Sequence, residues 1–307
     1  MLGFLKALRG NELDQLLRKA AKSGKKTFLI AWNRGLGDIA LGLYALVWRI
    51  KEFIPDAQID FLTRKELEEP FRLLEGTGVI AVPWWERGMQ LDMEDTLRRL
   101  HLRRDSYDIV LEKINPTKWL SWQRGKLTPK LRWKDEYDAL FRRFDIYESS
   151  RFYIVAHVST ETGQFYGYKK DWPADNWRTL FGRLSENRNV RIILFGIHKT
   201  EPFDLPSVID LRGETGFLET LSIIKNCCNV LIAPDGGILS MAYYLDVLFP
   251  ITVVSLWADP NQGVLKQAVP SPNTGLKHIP LIGTDNDISK ISVDSVLRIL
   301  DTEKVLL

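Results

Sequence analysis

The chain has 307 residues, 45% hydrophobic and 26% charged, with a formal net charge of +3 and a pI near 8.7. That length allows two ordinary domains with real cores, and no apolar run is long enough to span a bilayer. Four scattered histidines and the adjacent Cys227 and Cys228 lack metal-ligand spacing; neighbouring cysteines rarely bridge without strain, so the pair reads as two buried thiols.

In chain order, residues 2–22 place Leu at helical spacing among Lys, Arg, Asp and Glu. This reads as an amphipathic helix packed on the first domain, and not as a secretory leader, so a cytoplasmic protein is expected. Phe28–Trp32 is a short apolar run that ends in Gly35-Leu36-Gly37, followed by Asp38 and an apolar helical pattern. It predicts a strand over 27–32, a tight loop and a helix over 38–53. Glycines in such a loop let a ligand approach the backbone, and Asp38 falls at the carboxyl end of the strand, where open α/β sheets place their chemistry. Strands at 58–63, 79–83 and 107–112 alternate with helices at 65–74 and 91–102. Residues 124–134 are basic and irregular, and 135–144 is helical.

The alternation restarts near Arg151. Strands are expected at 152–157, 190–195, 229–233 and 251–256. Helices are expected at 174–184 behind Pro173, and at 216–226, 238–245 and 292–300. Strand–helix alternation means βαβ units and parallel sheets. The expected class is therefore α/β, with two Rossmann-like domains whose parallel sheets face a cleft, the first over 1–150 and the second over 151–307. The boundary lies near Ser149–Ser150, and the last helix is free to pack back on the first domain.

Three constellations carry chemistry. The first is the loop of Gly35 and Gly37 with Asp38. With Ala40 it matches a loose dinucleotide fingerprint, and Asp60 follows at about the expected twenty residues. A negative Asp38 beside a pyrophosphate argues against that use, with only Arg34 nearby as a cation. Asp38 suits a general base or a helix cap, and the two roles are compatible. The second is the loop HVSTETGQFYGYKKDWP, where Ser159 and Thr160 can bond phosphate oxygens and Lys169 or Lys170 can neutralise a diphosphate. The third is the turn Pro234-Asp235-Gly236-Gly237, which opens a helix with free backbone N–H groups and offers Asp235 to sugar hydroxyls.

Charge is uneven. From Arg98 to Arg143 there are thirteen Lys or Arg against six Asp or Glu, with Trp119, Trp122 and Trp133 interleaved. The stretch reads either as a solvated surface or as a patch for an anionic partner, and Arg124, Lys126 and Lys130 are the candidate acceptor contacts. No nucleic-acid motif accompanies it.

The passages RGLGDIALG, KKDWPADNWRTL and LRGETGFLETLSIIKNCCNVLIAPDGGILSMAYYL, taken in order, resemble glycosyltransferase family 9, the ADP-heptose–lipopolysaccharide heptosyltransferases. The likeness runs over residues 27 to 259. It implies a GT-B fold and inverting, metal-independent transfer without a cofactor. It implies a nucleotide-sugar donor, ADP-linked, and as acceptor a glycolipid or other saccharide met at the inner membrane surface. Position by position, the resemblance makes Asp38 the base, and Ser159 and Thr160 the hydroxyls near the donor phosphates. Lys170 becomes the diphosphate lysine, and Asp235, Gly236 and Gly237 the donor turn. Glu201 matches, loosely, an acid on the nucleoside. The chain departs from the family at Ser240, where the family has histidine, and in lacking Thr-x-Pro in the first helix. Two rival readings stay open: an NAD(P)-binding oxidoreductase that uses the first loop, and a nucleotide-sugar-binding protein without catalysis. The only Asp-x-Asp, Asp285-Asn286-Asp287, reads as turn and cap chemistry.

Overall fold

A computed structural model describes residues 11–161, 163, 169–199 and 202–302. The chain divides into two compact units, Met1–Leu131 and Arg132–Leu307.

The first unit opens with α1 (Glu12–Lys22), capped by the Asn11 side chain, which accepts from the Asp14 amide at 2.9 Å. Its Leu13, Leu17 and Ala20 are buried on one face, as a 3.6-residue period requires. Then come β1 (Thr27–Trp32), α2 (Tyr44–Phe53), β2 (Gln58–Arg64), α3 (Glu68–Phe71), β3 (Gly78–Val82), α4 (Met93–Arg99), β4 (Ile109–Leu111) and α5 (Pro116–Trp119). Arg49 on α2 grips Asp14 on α1 with two bonds, 2.9 and 2.8 Å. The sheet runs β3-β2-β1-β4, all parallel. The helix expected over 38–53 is broken: Ile39–Leu43 is one π-helical turn, and regular α-helix begins only at Tyr44. An apolar stripe is compatible with either winding, so periodicity alone does not distinguish them.

The second unit contains a 3-10 segment (Asp135–Phe144), β5 (Phe152–His157), α6 (Ala174–Ser185), β6 (Val190–Phe195), β7 (Val208–Asp210), α7 (Phe217–Asn226), β8 (Val230–Pro234), α8 (Gly237–Tyr243), β9 (Ile251–Trp257), α9 (Gly263–Gln267), β10 (Leu276–Ile282) and α10 (Val293–Thr302). Its parallel sheet runs β10-β9-β8-β5-β6-β7. Winding reverses between β5 and β8, which makes the carboxyl ends of those two strands the switch point of a doubly wound fold. The strands' apolar faces and α6 and α10 share one core, including Ile154, Ile192, Trp177, Phe181, Val296 and Leu300. The last helix thus packs within the second unit.

The units divide ahead of Ser149–Ser150. Residues from Arg132 onward go with the second unit because the 3-10 segment is fastened to α7. Lys225 pairs with the Asp138 carboxylate at 2.7 Å, and Ser222 and Asn226 each donate to its carbonyl at 3.1 Å.

His157, buried, and His278, half-buried, give this unit an acid sensitivity. Burial pushes His157 and His278 down from 6.5 to about 4. The unfolded chain binds protons at both below 6.5 and the folded chain binds them only near 4, so stability falls as pH drops through that window. Each contributes up to about 1.4 kcal/mol per pH unit. Asp171, pushed up by burial, acts in the opposite sense. Urea midpoints are expected to drop from neutral pH to about pH 4.5, and less steeply in His278→Gln; equal slopes for variant and wild type contradict the assignment.

Candidate functional site

The switch point of the second unit gathers the residues of two predicted loops. Thr160 follows β5 by three residues and is buried. Its amide donates to the Asp171 carboxylate at 2.7 Å, and its hydroxyl accepts from the Gly163 amide at 3.0 Å. A Cβ placed on Gly236 would lie 3.3 Å from the Thr160 methyl group, so the loops after β5 and β8 are in contact. Ser159 beside it is half-buried.

Lys170 is placed by the tryptophan two residues on. Trp172 is buried, donates its indole N–H to the Ile291 carbonyl at 2.9 Å, and meets Trp177 edge-on at 5.0 Å. Anchored there, the chain sends the Lys170 ammonium onto the Asp235 carboxylate as an ion pair, with side chains only 19% and 10% exposed. In so little water a charge needs its partner, so the pair is fixed rather than fluctuating.

Asp235 leads into Gly236, the N-cap of α8, and Gly237 is the first residue of that helix. Amides in a helix's first turn have no intrahelical acceptor and suit an anion. Ser240 is buried, and its hydroxyl donates back to the Gly236 carbonyl at 3.1 Å. It therefore steadies the turn. Glu201 lies outside the described residues.

Against Asp235 and Lys170 lies a cavity of about 240 Å³, whose wall also includes Lys169, Asp259, Gln262 and Asn286. Sequence reasoning did not single out Asp259 or Gln262. The available signal was the turn-forming run Asp259-Pro260-Asn261-Gln262-Gly263 directly behind the apolar strand β9. Asp287 caps the following 3-10 turn by accepting from the Ser289 amide at 2.9 Å.

In the first unit, the loop after β1 is tied down by Asn33, whose side-chain amide donates to the Glu86 and Met89 carbonyls at 3.3 and 2.9 Å. Arg64, at the end of β2, donates to the Arg34 carbonyl at 3.3 Å. Asp38 stands at the N-terminus of the π-helical turn in right-handed helical conformation, and its side chain makes no capping bond. Its carboxylate instead folds over Gly35. A Cβ there would lie 2.9 Å from Asp38 Oδ2 and 3.8 Å from Arg87 Nη2, so Gly35 leaves the space that the carboxylate occupies. Asp38 is half-buried in the loop that follows the carboxyl end of the central strand β1.

Asp60, the acid of the dinucleotide reading, sits third in β2, in register with Gly78, and accepts from the Tyr107 hydroxyl at 3.0 Å. A ribose-binding acid belongs at the strand's carboxyl end. The interleaved tryptophans are structural: Trp122 stacks obliquely on Trp48 at 5.6 Å with the Arg49 guanidinium 5.1 Å from its ring, and Trp133 donates to Asp138 at 2.8 Å. Arg124 is half-buried, and Lys126 and Lys130 are exposed. Among the described residues, no group of three or more His, Cys, Asp or Glu is arranged to hold a metal ion, and no helix is long and apolar enough to cross a membrane.

No protein-family model and no curated protein matches the chain. Solved structures do. ADP-heptose lipopolysaccharide heptosyltransferase II of E. coli superposes with a TM-score of 0.60 at 16% identity, over 90% of this chain and 98% of that one. A glycosyl transferase family 9 protein from Veillonella parvula gives 0.58 at 14%, over 90% and 96%. TibC, an iron-containing dodecameric heptosyltransferase in complex with ADP-D-β-D-heptose, gives 0.56 at 9%, over 92% and 77%. The chain shares the α/β fold of these GT-B glycosyltransferases.

Proposed function

We propose that the chain is an inverting glycosyltransferase of the heptosyltransferase type. It moves a sugar, heptose or a relative, from an ADP-linked donor to a lipopolysaccharide-type or other saccharide acceptor. The observation that carries this is the cluster of Thr160, Lys170, Asp235 and Gly236 at the second unit's switch point, in a fold shared with proteins whose names specify ADP-heptose.

The chemistry is a single displacement. The Asp38 carboxylate takes the proton from an acceptor hydroxyl as its oxygen forms a bond to C1 of the donor sugar. The bond from C1 to the diphosphate oxygen breaks, and its electron pair leaves on the diphosphate. The sugar passes through an oxocarbenium-like state and inverts. The Lys170 ammonium and the amides around Gly236 and Gly237 meet the growing negative charge, so no divalent ion is needed. TibC is described as iron-containing; here the charge on the diphosphate is assigned to Lys170. Against the oxidoreductase reading stands Asp60, held in mid-strand by Tyr107. A reading without catalysis draws on Ser240, which brings no cation to the turn.

The test is incubation with ADP-heptose and a saccharide acceptor, with ADP release followed and the product's anomeric configuration read by NMR. Acceptor-dependent release, inversion and indifference to EDTA are expected; retention of configuration or loss of activity with EDTA overturns the corresponding part.

For the acceptor we assign the basic stretch of the first unit. Replacing Arg124, Lys126 and Lys130 with Glu is expected to raise the acceptor KM by about tenfold or more, since an attractive field becomes repulsive. The donor Kd stays as it was. An unchanged acceptor KM rejects the assignment.

A further inference from the structure

The cavity beside the Lys170–Asp235 pair has a wall that no motif in the sequence announced. Resting on the donor reading above, we propose that Asp259 and Gln262, with Asn286 of the same cavity, form the hydroxyl-reading wall of the donor-sugar subsite and set which sugar is accepted.

The argument begins with charge. The titratable groups on the wall are Lys169, Lys170, Asp235 and Asp259, so the formal charges cancel, and Lys170 is already paired. Beyond Lys170, which the donor diphosphate engages, a further phosphate would find no net positive charge here. A neutral polyol would meet acceptors and donors in alternation, which is what hydroxyls require.

Size agrees. A cavity of about 240 Å³ equals the share of roughly eight waters at about 30 Å³ each, the scale of one hydroxylated ring.

The wall is also built to hold its shape. Asp259 Oδ1 accepts from the Asn261 amide at 2.8 Å and from its side chain at 3.0 Å, and Oδ2 accepts from the Gln262 side chain at 3.2 Å. Those bonds, the backbone amide's foremost, hold the Asp259 carboxyl below its ordinary range, so it is an acceptor at neutral pH. Each carboxylate oxygen keeps lone-pair capacity, and Gln262 keeps its carbonyl oxygen and one N–H.

Gly263 fixes the wall against the donor turn. It has a left-handed φ of +48°, and a Cβ there would lie 2.3 Å from Asp235 Oδ1 and 2.8 Å from the Trp257 ring. Only glycine lets the 262–263 backbone pass this close to Asp235. The Gly263 backbone thereby passes beside the carboxylate already assigned to the donor, and Gln262 is the residue before it.

The test compares binding of ADP, ADP-heptose and ADP-glucose to the full chain by calorimetry, for wild type, Gln262→Ala and Asp259→Asn. Both variants are expected to bind ADP within about twofold of wild type and to bind the preferred ADP-sugar about tenfold more weakly, which narrows the preference between the two sugars. The isosteric Asp259→Asn retains an acceptor for the Asn261 amide, so its effect reports on the ligand rather than on folding. ADP-sugar binding as tight as wild type in both variants, or equal loss of ADP and ADP-sugar, overturns the inference. Wild type that binds none of the three overturns the donor reading itself, an outcome visible before any variant is made.

Discussion

Asp38→Asn is expected to lower sugar transfer by about 10²–10⁴-fold, the usual contribution of a positioned general base. The donor Kd should stay within about twofold, because the donor cluster belongs to the second unit's switch point. Asp38→Ala is expected to behave alike. The side chain makes no cap bond to the turn that follows it; measuring kcat beside the thermal midpoint separates loss of the base from loss of fold. Gly35→Ala gives an independent route to the same effect. The added methyl group enters space 2.9 Å from Asp38 Oδ2 and must push the carboxylate aside, so kcat falls while donor affinity holds. Turnover retained in Asp38→Asn would remove the base from the mechanism.

Lys170→Ala is expected to lower kcat by about 10²–10³-fold, as removal of a group that stabilises a departing charge does. It also strands the Asp235 carboxylate, 10% exposed, without its cation. Breaking such a pair costs about 3 kcal/mol in a fully buried setting and less here. Stability and catalysis can be separated with the double variant Lys170→Ala, Asp235→Asn. The second change removes the stranded charge and should recover most of the thermal midpoint, yet turnover should stay low because the Lys170 cation no longer meets the diphosphate. Recovery of both together would make the pair a structural strut only.

Much of the fold was legible because buried parallel strands are continuous apolar runs between turn formers. Residues 152–157 and 190–195 are strands in the structure with the bounds read from sequence. The edges of the second sheet were not legible. Three-residue β7 is half-buried throughout, and β10 carries Lys277, His278 and Pro280 among its apolar residues. An edge strand tolerates proline and polar side chains, which erases the run that marks a central strand.

The site divides along the same line. Asp38, Lys170 and Asp235 stand next to glycines or a Trp-Pro pair, punctuation that a reader of the sequence can see. The approach of Gly263 to Asp235, made with a left-handed φ, joins the ends of neighbouring strands β8 and β9 and is purely tertiary. The tryptophans near the basic stretch also have tertiary partners that spacing alone does not reveal. Trp119 donates to Glu12 at 3.2 Å, and Trp133 is buried, so they hold the chain together and leave any acceptor contact to Arg124, Lys126 and Lys130.

The central claim is that the second unit's switch point holds a sugar nucleoside diphosphate on Lys170 and its neighbours. Titration calorimetry of the full chain with ADP-heptose, alongside NAD and NADP, addresses it directly. Saturable binding of ADP-heptose, weakened about tenfold or more by Lys170→Ala, with no heat from the nicotinamide dinucleotides, is the predicted result. Binding that Lys170→Ala leaves untouched, or nicotinamide binding in place of ADP-heptose, contradicts it.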